Sequence, residues 1–309
     1  MSEDAAVERI VDELAAACSS RERAWLSCLM RAGEEASAGV RGLLGTAAGR
    51  EVIGRGEGGD NTVRIDAVAE GAVVSVLDRE APEPFQLVTE EAGFRPATVP
   101  TETRVIVDPV DGSLNAKRGL EPCCAALAVA DGGTLGSATV GYVRDLGRGH
   151  HYLAVRGAGF FSTRRVHSGR ACESFGEGGA IELVLLEAGR PTAHSFSFGE
   201  LARFGGDPAK TELRVRIIGS VALSLCHVAL GAADVLVIPV PTRSVDVVAG
   251  LLMVRESGGG AAELTAEAQA DSLWRQPLDL ERRAPLVAWR KGLAPGPIIE
   301  EARRLVPRS

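Results

Sequence analysis

The amino-acid sequence predicts a mixed α/β (α+β) fold in which sheets are layered with helices. Three observations point there. Helical periodicity runs through the first quarter, short β-type segments fill the middle, and strands alternate with helical segments in the second half. The 309 residues are 45% hydrophobic and 24% charged, a composition that suits one large globular domain or two modest ones.

Taken in order, residues 4–47 read as helix with a break at Ser19–Ser20, and residues 49–60, GREVIGRGEGGD, as a glycine-rich loop. Ile65, Val68, Ala69, Ala72, Val73, Val76 and Leu77 then follow the spacing of an amphipathic helix, with Asp60 or Asn61 as its N-cap. FQLVT, RVIVD, CCAALAVAD, TLGSATVGYV and HHYLAVRG read as strands bounded by Gly, Pro and Asp, and ADGGTLG as a hairpin turn. IELVLLE and RVRIIGS are strands and SVALSLCHVALGA a helix. ADVLVIP is a strand, SVDVVAGLLMVRESGG a helix ending on glycine, and PLVAWR a late strand. The most irregular spans are 161–180 and 188–210.

A net charge of -7 leaves no basic field for nucleic acid or an anionic membrane, so neither is expected as a partner. The opening MSEDAAVERI is acidic where a secretory signal is basic and then apolar, and no apolar run approaches the ~20 residues of a membrane span. A cytoplasmic location is the expectation. The six cysteines, Cys18, Cys28, Cys123, Cys124, Cys172 and Cys226, form no CxxC pair and read as reduced, mostly buried thiols. Cys123 and Cys124, adjacent on a strand, should point to opposite faces.

Four places carry acids that a solvated surface does not readily explain. Glu90 and Glu91 end FQLVTEE, Asp108 ends RVIVD with Asp111 on the turn after it, Asp246 opens a helix, and Asp66 lies early in another. Strand C-termini and helix N-termini are where α/β architectures gather ligand groups. Closely spaced oxygen ligands suit hard cations such as Mg²⁺. Asp108 is placed to bridge two ions, with Asp111 held nearby by the turn through Pro109. Gly112, without a Cβ, lets a phosphate approach the backbone N–H groups of Gly112 and Ser113.

VTEEAG, DPVDGSLN and SVDVVAGLLMVRESGG, in that order, resemble the signatures of the inositol monophosphatase family of Mg²⁺-dependent, lithium-sensitive phosphatases. YLAVRGAGFF and RIIGSVALSLCHVALGAADV resemble two further family segments, so the likeness covers roughly residues 25–290. The resemblance implies an α-β-α-β-α sandwich of the sugar phosphatase type. It implies a helical extension over 1–24, an α+β lobe with the metal site over 25–180, and an α/β lobe over 181–309 completing the active site. It assigns Glu90, Asp108 and the Val110 carbonyl to a first metal site, and Asp108, Asp111 and Asp246 to a second. The cofactor it implies is Mg²⁺, two or three ions. Asp66 and Ser113 match the pair that orients the attacking water, Glu91 the second acid of the Glu-Glu pair, and Gly112 and Ser113 the phosphate cradle. The family often dimerises, so a homodimer is among the expected partners.

Departures bear on substrate. The family typically carries Trp-Asp where this chain has Val245-Asp246, and an inositol-binding Glu where it has Pro239. Arg243 and SLNAKRGLEP are more like the archaeal-type branch, which includes enzymes that hydrolyse both fructose 1,6-bisphosphate and inositol monophosphate. Lys117, Arg118 and Arg243 offer cations for a second anionic group, although Lys117-Arg118 also reads as a solvated turn. The expected activity is hydrolysis of a small sugar or polyol phosphate by metal-activated water. The alternatives are a 3′(2′),5′-bisphosphate nucleotidase and a non-catalytic relative that binds a sugar phosphate.

Three other features carry less. GRGEGG fits GxGxxG but lacks a clear preceding strand, His150 and His151 should face opposite ways on a strand, and the tryptophans are scattered packing residues.

Overall fold

The computed structural model describes residues 17–59, 61–164, 180–187, 198–205, 212–265, 269, 271–281 and 283–306. In chain order the first half comprises α1 (Ser20–Val40), β1 (Val52–Arg55), β2 (Asn61–Val63), α2 (Arg64–Glu80), β3 (Gln86–Thr89), β4 (Gly93–Arg95), β5 (Thr103–Asp111), α3 (Ser113–Arg118), β6 (Cys124–Asp131), β7 (Ala138–Asp145), β8 (His151–Val155) and β9 (Gly159–Ser162). The second comprises β10 (Leu183–Leu186), β11 (Arg214–Arg216), α4 (Val221–Ala229), β12 (Val235–Arg243), α5 (Ser244–Glu256), β13 (Gly260–Glu263), β14 (Arg283–Trp289) and α6 (Pro295–Arg304).

Local chemistry sets the boundaries. Ser19 caps α1: its hydroxyl accepts from the Glu22 N–H at 3.2 Å, and its own N–H donates back to Glu22 at 2.8 Å. That capping box breaks the helical reading at Ser19–Ser20. α1 is continuous past residue 24, with Trp25 and Leu26 buried, so the boundary anticipated between 24 and 25 falls inside one helix. The N-cap of α2 is Val63 rather than Asn61, and Asp60 lies outside the described residues. Asp66, at the third helical position, accepts the Val63 N–H at 3.4 Å and does the capping itself.

Seven strands form a sheet in the order β4-β3-β5-β6-β7-β8-β9, with β3 and β5 parallel and the other pairs antiparallel. ADGGTLG joins the antiparallel pair β6 and β7, as its turn chemistry predicted. The second sheet runs β11-β10-β12-β14-β13. Strand alternation divides the interior. Val105, Val107 and Cys123 pack with α1 and α2, while Ile106 and Cys124 face α4 and α5. Leu236 and Leu286 join that middle core, and Val235, Val237 and Val287 pack with Ile298 and Ala302 of α6. Helices therefore cover both sheets on both faces, the α-β-α-β-α sandwich that was expected. Cys18, Cys28, Cys123, Cys124 and Cys226 are free and buried, and Cys172 lies outside the described residues.

One expected strand end moves. β5 does not stop at Asp108 but continues to Asp111 across an irregularity, with Asp108 opposite Ala126 and Asp111 opposite Cys124. Pro109 has no N–H for the ladder, and the bulge accommodates it. β12 similarly loses regular register against β14 between Ile238 and Thr242, where Pro239 and Pro241 fall. Among the described residues no helix is long and apolar enough to cross a membrane.

Candidate active site

The site lies where the parallel pair β3 and β5 ends against the first turn of α5. Glu90 follows β3, Asp108 is on β5, and Asp246 is the third residue of α5. One carboxylate oxygen from each lies within 4.8 Å of the others. Asp108 is 2% exposed and is held by the Val110 N–H, which donates to its Oδ1 at 3.1 Å. Arg243, the last residue of β12, donates through Nη2 to Glu90 and through Nε to Asp246 Oδ2 at 3.3 Å.

Asp111 is not part of that trio. Its Oδ2 accepts from the Ser220 hydroxyl at 2.5 Å and the Ala222 N–H at 2.7 Å, at the start of α4. That places it against the favourable end of a helix dipole. Glu187, after β10, in turn holds the loop before α4 by accepting from the N–H groups of Ile218 at 3.2 Å and Gly219 at 3.1 Å and from the Ser224 hydroxyl at 2.8 Å. Ser220 stands at the N-cap of α4 within GSVALSLCHVA, and its place before that helix is the sequence signal that identifies it.

Asp66 and Ser113 come together beside this group. The Ser113 hydroxyl donates to the Val110 carbonyl at 2.8 Å and is also close enough to Asp66 to favour its charged form. Lys117 places Nζ 4.0 Å from Asp66 Oδ2, whereas Arg118 is exposed to solvent. The two neighbours thus part, one turning into the site and the other to water. Glu91 accepts from the Thr62 hydroxyl, and a Cβ on Gly56 would sit 2.6 Å from Glu91 Oε2. The glycine turn lies on the acids: Glu57 N–H donates to the Glu91 carbonyl and Gly58 N–H to the Glu90 carbonyl, both at 3.0 Å.

Gly112 has φ 85°, and a Cβ there would lie 2.8 Å from the Pro122 carbonyl oxygen and 3.0 Å from that of Gly219. Glycine is therefore required by the protein's own backbone as well as by any phosphate. Asn115 fixes the same junction, donating to the Pro122 carbonyl at 2.8 Å and the Ile218 carbonyl at 2.7 Å.

The donor set fits a hard divalent cation. Buried Asp66 Oδ1 has no hydrogen-bond partner, an arrangement that costs about 1–3 kcal/mol unless something else satisfies it, and Asp246 Oδ1 has only the approach of Arg243 Nε at 3.3 Å. The charge balance agrees. Burial pushes Asp108 well above the usual carboxylate range, and Glu90, Asp111 and Asp246 add like-charge repulsion. Burial also lifts Glu90 to about 7 against the pull of Arg243, and Asp111 to about 7 against the Ser220 and Ala222 hydrogen bonds. Asp66 rises to about 6, chiefly by burial, with Lys117 opposing.

These shifts have a sign. A carboxyl whose folded pKa is raised binds its proton more tightly in the native state. Its contribution to stability is complete below about 4, the unfolded value, and is lost as pH rises to about 7. Metal-stripped protein should therefore melt at progressively lower temperature from pH 5 to pH 7.5, and Glu90→Gln should flatten that slope. A slope unaltered by Glu90→Gln would place the responsible titration elsewhere.

Two other sequence features resolve structurally. His151 is buried between the Tyr142 hydroxyl, 2.9 Å from Nδ1, and Arg144, and burial lowers its pKa to about 3. It is a neutral core histidine, not a metal ligand. GRGEGG begins inside β1, with Gly54 and Arg55 paired antiparallel to β2, and its turn opens no helix. That is not the strand-turn-helix unit a dinucleotide needs.

Comparison with known proteins agrees with this arrangement. The model of the inositol monophosphatase family matches residues 22–305. A fructose-1,6-bisphosphatase/inositol-1-monophosphatase of Methanothermobacter thermautotrophicus is 31% identical over 250 residues, covering 76% of this chain and 82% of that one. An inositol-1-monophosphatase of Aeropyrum pernix is 30% identical over 261 residues, covering 84% of this chain and 92% of its own. Among solved structures, an inositol monophosphatase–fructose 1,6-bisphosphatase superposes with a TM-score of 0.71 at 20% identity, over 90% of this chain and 99% of that one, a likeness of fold. With a family match spanning nearly the whole chain and an acid cluster at the end of its parallel strands, the chain belongs to the inositol monophosphatase family.

Proposed function

We propose that this protein is a metal-dependent phosphoric monoester hydrolase of small sugar or polyol phosphates, inositol monophosphate and fructose 1,6-bisphosphate among them. The observation that carries the reading is the trio Glu90, Asp108 and Asp246 within 4.8 Å, in a chain of this family, with a buried Asp66 oxygen left without a hydrogen bond beside it. Glu90, Asp108, the Val110 carbonyl, Asp111 and Asp246 would hold Mg²⁺, two or three ions. Bound there, the ions supply charge that acidifies water and stabilises the leaving alkoxide.

The chain's own groups supply position. Asp66 presents an unpartnered Oδ1, and its pKa near 6 lets it accept a proton close to neutral pH. The Ser113 hydroxyl proton has the Val110 carbonyl as one acceptor and Asp66 as another within reach, so its lone pairs are free to hold a water. Lys117 keeps Asp66 oriented. The first N–H groups of α3, at Gly112 and Ser113, have no intrahelical partner and suit a phosphate oxygen. Glu91, fixed by Thr62, completes the acidic wall. Phosphoryl transfer depends mainly on such positioning and charge, and the reading calls for no phosphoenzyme.

Pro239 occupies the position where the family resemblance implies an inositol-gripping acid, so selection for inositol should be loose. Fructose 1,6-bisphosphate is expected to be hydrolysed with kcat/KM at least equal to that of inositol 1-phosphate, with adenosine 3′,5′-bisphosphate poorer than both. Phosphate release from these three substrates decides it. Arg243→Ala should raise KM for the bisphosphate more than for the monophosphate, because a guanidinium gives a second phosphate paired, charge-assisted bonds. Strong preference for inositol 1-phosphate that survives Arg243→Ala, or preference for the nucleotide, contradicts the reading.

A further inference from the structure

The sequence puts a permanent cation three residues before Asp246, at the N-terminus of α5, where a helix dipole favours anions instead. The fold buries it: the Arg243 side chain is 11% exposed, and its partners Glu90 and Asp246 are each 14% exposed. The pairing is incomplete. Arg243 Nη1 is buried without a hydrogen-bond partner, and Asp246 Oδ1 has no hydrogen bond, only the approach of Arg243 Nε at 3.3 Å. A finished structural ion pair does not leave a guanidinium nitrogen unsatisfied in the interior.

The two carboxylates have a second claimant. Glu90, Asp108 and Asp246 present oxygens mutually within 4.8 Å, and Arg243 already neutralises two of those three carboxylates, so a divalent ion drawn to the trio must share them with the guanidinium. At such a span two cations also repel strongly. The glycine turn seats the guanidinium, since any side chain on Gly58 would collide with Nη1 while the Gly58 N–H holds the Glu90 carbonyl at 3.0 Å.

We propose that Arg243 is a resident counter-cation of the acid cluster, competing with divalent metal for Glu90 and Asp246, so that metal loading releases its guanidinium. The released fork becomes available to a substrate anion, and metal and anion binding are coupled through one side chain. The inference rests on the metal-dependent reading given above.

The test is calorimetric titration of chelator-stripped full-length protein with Mg²⁺ alone. Arg243→Gln should bind Mg²⁺ about tenfold or more tightly than the wild type, the order expected when a competing unit charge is removed. Arg243→Lys keeps a charge that cannot bridge both acids and should tighten binding less. In the wild type, phenylglyoxal labelling followed by peptide mapping should show Arg243 reacting faster once Mg²⁺ saturates the protein. Unchanged or weaker Mg²⁺ affinity in both variants, or labelling of Arg243 indifferent to Mg²⁺, overturns the proposal. If Arg243→Gln does not fold, Arg243→Lys and the wild-type labelling still decide. Wild-type protein that binds no Mg²⁺ sinks the functional reading and this one together. Wild-type protein that binds Mg²⁺ and releases phosphate, with affinity unaltered in the variants, sinks this one alone.

Discussion

Asp108→Asn is expected to abolish turnover, weaken Mg²⁺ binding and raise the melting temperature of the metal-stripped protein. Asp108 lies within the acid trio and is 2% exposed, so one carboxylate is surrounded by others with little water to screen them. Asparagine keeps the shape and can still accept the Val110 N–H that reaches Oδ1 at 3.1 Å. It removes the charge that a divalent ion needs. It also removes a buried carboxyl that Glu90, Asp111 and Asp246 hold in an unfavourable state. The metal-stripped variant should therefore gain stability near neutral pH, where the raised pKa disfavours the native state of the wild type. Loss of activity with gain of stability marks a residue kept for function at the fold's expense. Retention of more than about a tenth of the wild-type rate, a barrier change under ~1.4 kcal/mol, would count against Asp108 as the central ligand.

Ser113→Ala is expected to lower kcat by roughly 10²–10⁴ while leaving Mg²⁺ affinity nearly unchanged. The hydroxyl donates to the Val110 carbonyl at 2.8 Å, and its loss costs about 1 kcal/mol of stability, too little to unfold the protein. Ser113→Thr keeps the hydroxyl and should keep most of the rate. Collapse of metal affinity with kcat intact at saturating Mg²⁺ would reverse the roles given to Ser113 and the acids.

Much of the fold was legible because alternation and period reflect burial directly. Cys123 and Cys124 show it: adjacent residues enter different cores, as the two-residue repeat of a strand requires. Short, weakly apolar elements were not legible. GREVIGRGEGGD reads as loop, yet Val52–Arg55 pairs with Asn61–Val63, because a strand exposed along its whole length has no apolar stripe to announce it. α6 went unread because PGPIIEEARR has few apolar residues and a proline at its start, a position helices tolerate well.

In the site, the residue types pointed to the chemistry and the fold supplied the partners. Asp108, Asp111 and Gly112 are readable from one turn, but that Asp111 is held by Ser220 and Ala222 follows from packing across more than a hundred residues. Thr62 on Glu91 and Glu187 beneath the α4 loop are likewise tertiary contacts that leave no local signature. Arg243 reads as a cation for a second anionic group and lies within the acid cluster, because β12 delivers it to the first turn of α5 beside Asp246.

The most direct measurement is phosphate release from fructose 1,6-bisphosphate and inositol 1-phosphate by chelator-treated protein, followed through a Mg²⁺ titration. The expected result is negligible release before metal, a saturable rise with Mg²⁺, and no such rise for Asp108→Asn. Release that is independent of Mg²⁺, or none from either ester at saturating Mg²⁺, would contradict a metal-dependent sugar phosphatase.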